Sequence, residues 1–94
     1  MNRMVRPREH FHIMKFSYVY VLKSKKKEFL YVGFTYNPRK RFLEHNNGEE
    51  LSTKAYAPFD LIFYEAYANE KDAKRREEYF KTTKGKTTLK MMLK

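Results

Sequence analysis

The sequence contains no cysteine. That excludes disulfide scaffolds, cysteine-ligated zinc modules and thiol catalysis, and it suits a reducing compartment. It also lacks any long hydrophobic run. Tyr18 to Leu22 is the longest in the first half, far short of the roughly 20 apolar residues a membrane span needs. Residues 1–15 are basic without an apolar middle or a small-residue cleavage site, so no signal peptide is read there and a cytoplasmic protein away from membranes is expected. Acidic residues are scarce. Asp+Glu number 11 against 21 Lys+Arg, a formal net charge of +10 on 94 residues. So large a surplus predicts an anionic partner, nucleic acid before a membrane surface.

Tryptophan is missing, yet Tyr and Phe number 8 each and hydrophobic residues reach 41%. The chain is therefore too apolar for a disordered tail and suits one small, strand-rich domain with an economical core.

Residues 1–14 carry Arg3, Arg6, Pro7, Arg8, His10 and His12 without periodicity and read as a flexible basic arm before a domain spanning 15–94. Phe16–Leu22 and Phe29–Gly33 are dense in aromatic and β-branched residues, as strands are. The short polar connector between them predicts an antiparallel hairpin, because a parallel crossover needs a dozen or more residues. Asn37-Pro38 reads as an N-cap and first helical residue, opening a helix to about Asn46 with Gly48 beyond it. Residues 49–58 read as a loop. Phe59–Tyr67 is a third strand, apolar enough for the middle of a sheet. Asn69 caps a second helix, with Glu70 and Asp72 in its first turn. That helix should reach about Thr82, with Gly85 ending it and Thr87 opening a short basic helix to Met92. The expected order is β-β-α-β-α-α, an α+β domain around a three-stranded antiparallel sheet.

Several side chains do not fit a purely structural role. Ala73, Glu77 and Phe80 share one helical stripe, which places Glu77 on or beside the buried face. A buried carboxylate is costly unless it is paired or binds a cation. An internal ion pair with Arg76 or a lysine is the alternative. Arg41 and His45 lie one turn apart, a pairing suited to a phosphate. Tyr18 and Tyr20 point to one face of the first strand, and Tyr31 stands opposite them in a tight hairpin. A buried phenol needs a partner for its hydroxyl that phenylalanine would not. Gly33 marks a place where backbone or ligand comes close.

Taken in order, these residues resemble the GIY-YIG nuclease superfamily, the fold of the incision module of bacterial excision repair. Tyr18-Val19-Tyr20 stands at the first motif, with tyrosine in place of its glycine, and Tyr31-Val32-Gly33 matches the second. Asn37 to Asn46 is similar to the helix carrying the family's arginine and following histidine or tyrosine. Residues 73–81 are similar to the helix bearing the metal-binding glutamate, and Lys84-Gly85-Lys86 with Leu89 to the basic ending of small single-domain members.

The resemblance implies a divalent-metal-dependent DNA endonuclease, structure-selective and linked to repair or recombination. Glu77 would hold one Mg²⁺ or Mn²⁺ ion, and Arg41 would grip a non-bridging phosphate oxygen. Tyr20, with Tyr31 or His45, would orient or deprotonate the attacking water, and the residues leave open which of them is the base. Lys40, Lys81, Lys84, Lys86 and Lys90 are the candidate nucleic-acid contacts. From Lys74 to the end, eight Lys or Arg face two Glu. Phe34, where many relatives carry a polar or basic residue, points to the alternative of a nucleic-acid-binding module whose chemistry has lapsed.

Overall fold

The computed structural model describes residues 15–94; the arm read at 1–14 lies outside the described residues. Three strands, β1 (Ser17–Ser24), β2 (Leu30–Thr35) and β3 (Phe59–Tyr67), form an antiparallel sheet in the order β2-β1-β3. Helix α1 (Pro38–Asn46) follows β2, and α2 (Glu70–Phe80) and α3 (Thr83–Met92) follow β3. The expected α+β fold and element order are observed.

The central strand is β1, not β3. A strand covered on both faces carries a continuous apolar run, and Val19-Tyr20-Val21-Leu22 is buried at every position. β3 alternates between covered and exposed residues, as an edge strand does. Val19, Val21 and Val32 pack with Ala73, Phe80 and Leu89 beneath α2 and α3. Tyr20, Leu22 and Phe59, with Tyr31 and Phe42 beside them, form a second core beneath α1.

One irregularity lets β3 serve both cores. Val21 pairs with Phe63 but Leu22 pairs with Leu61, so Ile62 is extra. A residue inserted into a ladder reverses the inward and outward sense of the strand beyond it. Phe59 and Leu61 therefore join the α1 core, and Phe63 and Tyr67 join the α2 core.

The caps explain the helix boundaries. Asn37 accepts from the Lys40 amide (3.1 Å) with Pro38 at the first position. Gly48 follows α1 at φ 73, a left-handed conformation that costs glycine least. Asn69 accepts from the Lys71 amide at 2.8 Å. The expected end of α2 is corrected: Phe80 is its last residue, and Thr82 caps α3 by accepting from the Gly85 amide at 2.9 Å. Gly85 is thus inside α3 rather than a helix stop. A Cβ there would stand 1.7 Å from the Tyr79 carbonyl oxygen, so glycine is required for α3 to pack against the end of α2. Within the loop at 49–58, Lys54–Tyr56 forms a short 3-10 turn.

Candidate active site

On the α1 side of the sheet, register and helix spacing bring four of the chosen residues together. Tyr20 pairs with Gly33 and Leu22 with Tyr31, so Tyr31 lies diagonally from Tyr20 on the same face. Their ring centroids are 6.1 Å apart. α1 lays Arg41, Phe42 and His45 over them. The Tyr20 hydroxyl meets His45 Nε2 at 2.9 Å, and the Tyr31 and His45 rings are 5.0 Å apart.

Gly33 is explained by this packing. A Cβ on it would lie 2.4 Å from the Tyr20 hydroxyl oxygen. What comes close to that glycine is the phenol of the first motif.

The hydrogen bonds around Tyr20 run in one direction. The Arg41 guanidinium lies near enough for its charge to oppose the rise in the Tyr20 phenol, while its hydrogen bonds go to Glu44 and Glu50. Thr53 gives its proton to the Glu50 carbonyl, so the hydrogen it shares with His45 lies on Nδ1, and Nε2 is left to accept from the phenol. Nδ1 meets Thr53 Oγ1 at 2.7 Å, and Thr53 passes its own proton toward the Glu50 carbonyl at 3.4 Å. The Glu50 carboxylate returns to Arg41 at 2.5 Å, and Glu44 holds the other guanidinium nitrogen at 2.9 Å. The result is a relay from Tyr20 through His45 and Thr53 to the Glu50 backbone, with the Glu50 side chain on Arg41.

Burial sets the electrostatics. Tyr20 is 1% exposed and His45 is 0% exposed. Burial, with nearby Tyr31, pushes the Tyr20 phenol well above its ordinary value, against the opposing influence of Arg41. Burial and then the Arg41 charge hold His45 below the usual histidine range. Burial would lower Arg41, but Glu44, Glu50 and Tyr20 outweigh it and keep the guanidinium firmly charged. Tyr31 is only half-buried, and its hydroxyl bonds to no other described residue.

Glu77 belongs to the other layer. Glu70, Lys74, Glu77 and Lys81 follow one stripe of α2 along the outer edge of β2. Glu70 meets the Tyr36 hydroxyl, Lys74 lies 5.3 Å over the Phe34 ring, and Lys81 shares a groove with Tyr31 and Val32. Among the described residues, no hydrogen bond or salt bridge joins Glu77 to Tyr20, Tyr31, Arg41 or His45. Its carboxylate is 20% exposed and held at 2.9 Å by Lys81. Of the partners considered for an ion pair, a lysine takes it. Arg76 instead binds Glu65 (3.0 Å) and lies 4.3 Å over the Phe80 ring.

Among the described residues no three His, Asp or Glu side chains gather as a metal-binding group. Glu77 alone fits a hard divalent cation that keeps most of its waters. It offers oxygen donors at the surface, and its partner Lys81 is 52% exposed and can turn to solvent. Of the lysines chosen as nucleic-acid contacts, Lys40 is tied to Glu44 at 2.8 Å. Lys84, Lys86 and Lys90 lie on α3 with no acidic partner among the described residues.

Glu44, Glu50 and Thr53 escaped the sequence reading. Glu44 had a usable signal, since it stands three residues after Arg41 on one helix. Glu50 and Thr53 sit in a loop where no periodicity points inward.

The GIY-YIG catalytic domain family matches residues 16–90. The chain belongs to this family. A UPF0213 protein of Clostridium perfringens is 42% identical over 66 residues, covering 69% of this chain and 70% of that protein. A UPF0213 protein of Staphylococcus saprophyticus is 33% identical over 80% of this chain and 92% of its own length. YazA of Bacillus subtilis, another UPF0213 protein, is 37% identical over 68% of this chain and 65% of its length. No solved structure matches the chain. Membership in the GIY-YIG family places the chain in a nuclease superfamily, which implies a nucleic-acid substrate. Tyr20 and Tyr31, both within the matched residues, stand together here, Tyr20 buried against His45 and Tyr31 half-buried beside it.

Proposed function

We propose that the protein is a metal-dependent DNA endonuclease that hydrolyses phosphodiester bonds, acts on structured DNA and serves repair or recombination. The observation that carries this reading is the buried Tyr20–His45–Thr53 relay in a chain of the GIY-YIG family. A phenol bonded to a neutral histidine nitrogen is placed to hand its proton on.

Arg41 draws a non-bridging phosphate oxygen by exchanging one of its carboxylates for it, and stabilises the charge that grows there. That exchange uncovers the Tyr20 oxygen. Tyr20 takes a proton from the attacking water as its own proton passes to His45 Nε2. His45, with no exposed surface, reaches water only through Tyr20. Tyr31 positions the water with its unshared hydroxyl. The water oxygen bonds to phosphorus as the bond to the 3′ oxygen breaks, leaving a 5′-phosphate and a 3′ oxyanion that takes a proton from solvent, while His45 returns its extra proton to solvent through Tyr20. Glu77 is the residue that would hold Mg²⁺ or Mn²⁺, which when bound neutralises phosphate charge and assists the leaving oxygen.

A second reading rests on a specific observation. Arg41 is already satisfied by Glu44 and Glu50, and Glu77 by Lys81. Phe34, expected beside the phosphate, packs instead on the α2 face beneath Lys74 and brings no group to the α1 side. A binding module of the same fold would have this arrangement. Incubation of labelled duplex, nicked, flapped, branched and single-stranded DNA with Mg²⁺, Mn²⁺ or chelator separates the two readings. Cleavage that needs metal and is lost in Glu77→Ala, with DNA binding retained, is expected. Undiminished cleavage by Glu77→Ala overturns the role of that residue. Salt-sensitive binding without cleavage under any condition assigns the binding module.

A further inference from the structure

A groove of about 780 Å³ opens where the α2–α3 junction meets the edge of β2. Its size is that of ligand clefts, roughly 300–1,000 Å³. The four residues discussed around Tyr20 do not account for it, apart from Tyr31 at one margin. Its floor is apolar: Val32 and Leu89 are core residues, and Leu30 and Ile62 are each 37% exposed within it. Its rim carries Lys23, Lys81, Lys86 and Lys90, against the single carboxylate of Glu28. Lys23, Lys86 and Lys90 have no acidic partner among the described residues.

We infer that this groove seats an unpaired strand of nucleic acid leading away from the site, and so makes single-stranded or flapped nucleic acid the preferred substrate. This rests on the nuclease reading for its direction, though not for its binding. The chemistry is in the combination. Duplex nucleic acid offers a basic surface its phosphates and keeps its bases stacked inside, so it gives an apolar floor nothing to cover it. An unpaired strand offers both phosphates for the lysines and the flat faces of its bases for the floor. Lys81 rims the groove and holds Glu77 at 2.9 Å, so a strand on the floor ends beside the carboxylate of the nuclease reading. Ile62 reaches the groove because it is the extra residue of the β1–β3 ladder. The irregularity that splits β3 between two cores thus leaves an apolar side chain at the surface.

Fluorescence anisotropy with labelled oligothymidine and with a blunt hairpin duplex of equal phosphate count, both in chelator, tests this without requiring cleavage. Oligothymidine is expected to bind the more tightly. The double variant Leu30→Ser/Ile62→Ser, checked for folding by circular dichroism, should lose roughly tenfold on oligothymidine, of the order of one base's contact, and little on the hairpin. Lys86→Ala/Lys90→Ala should weaken oligothymidine binding and flatten its log–log salt dependence by about 1.4, at about 0.7 per phosphate contact. Equal affinity for the two probes, or equal losses on both from the serine variant, overturns the inference. Displacement of oligothymidine from the groove by polyglutamate of equal charge, undiminished in the serine variant, also overturns it and assigns the lysines to acidic surfaces in general. A protein that prefers oligothymidine and never cuts keeps this inference and loses the nuclease. One that cuts without that preference does the reverse.

Discussion

Thr53 holds a position that only a hydroxyl can fill. Its oxygen accepts from His45 Nδ1 and its proton goes to the Glu50 carbonyl, in a place that is 1% exposed. Valine has nearly the same shape and neither function, and a buried imidazole N–H left without an acceptor costs about 1–3 kcal/mol. Thr53→Val should therefore lower stability by that order, whereas Thr53→Ser should restore most of it. The ¹⁵N resonances of the His45 ring are the sharper readout. The wild type and the serine variant should show the proton on Nδ1, and the valine variant should shift toward the other tautomer. Gly33 makes an equally local demand. Gly33→Ala puts a methyl 2.4 Å from the Tyr20 oxygen, and the overpacking should cost about 1–3 kcal/mol in urea unfolding while breaking the Tyr20–His45 bond. The motif tyrosines and Arg41 were legible in the sequence because their residue types and order are distinctive. Glu50 and Thr53 were not, because what selects them is a distance across a loop. The histidine also fixes a pH dependence. His45 faces Tyr20, Arg41, Glu44 and Glu50, and its folded pKa is lowered by burial and Arg41. The unfolded chain thus binds the proton first, so the stability due to this group is complete above about pH 6.5 and is lost as pH falls below it. Unfolding midpoints from pH 8 to pH 5 should fall, and His45→Gln should flatten that part of the profile.

At the scale of elements, the helices were legible by their starts more than by their ends. Asn37-Pro38 and Asn69 announce α1 and α2 with caps that the structure contains. The end of α2 was misread because a glycine after a helical stripe usually marks a stop, and here Gly85 serves close packing instead. Thr82 was the better signal, a hydroxyl three residues before the amide it caps. Gly85→Ala isolates the distinction. Its methyl would meet backbone atoms of Tyr79, the nearest at 1.7 Å, so the helices must separate even though alanine favours a helix by up to about 1 kcal/mol. The melting temperature should fall. A rise would show that α3 adjusts its contact with α2 at little cost. The place of β1 in the sheet was also available, in four consecutive apolar residues. The apolar count of β3 obscured it, because Ile62 and Tyr64 add hydrophobicity on exposed positions, at 37% and 56%.

Over the whole molecule, the surplus of positive charge is sharpened by how the carboxylates are used. Asp60, Glu44, Glu50, Glu65, Glu70, Asp72 and Glu77 each hold a lysine or arginine of the same chain. Such pairs cancel at a distance, so the outward field comes from the cations left over, and α3 carries three of them in Lys84, Lys86 and Lys90. All three are exposed, and a surface side chain without a partner contributes little to stability. Removing these three lysines should accordingly leave the melting temperature nearly unchanged while altering association with nucleic acid. If each neutralises one duplex phosphate, the log–log salt dependence of binding should flatten by about 2.7 in Lys84→Ala/Lys86→Ala/Lys90→Ala, at about 0.9 per phosphate. Neutralising Arg39, Lys54 and Lys71, cations on other elements with no acidic partner among the described residues, removes the same net charge. If binding answered only to the overall +10, the two triple variants would behave alike. A flatter slope confined to the α3 variant locates the contact on that helix, and equal slopes would mean that net charge, not α3, is what nucleic acid meets.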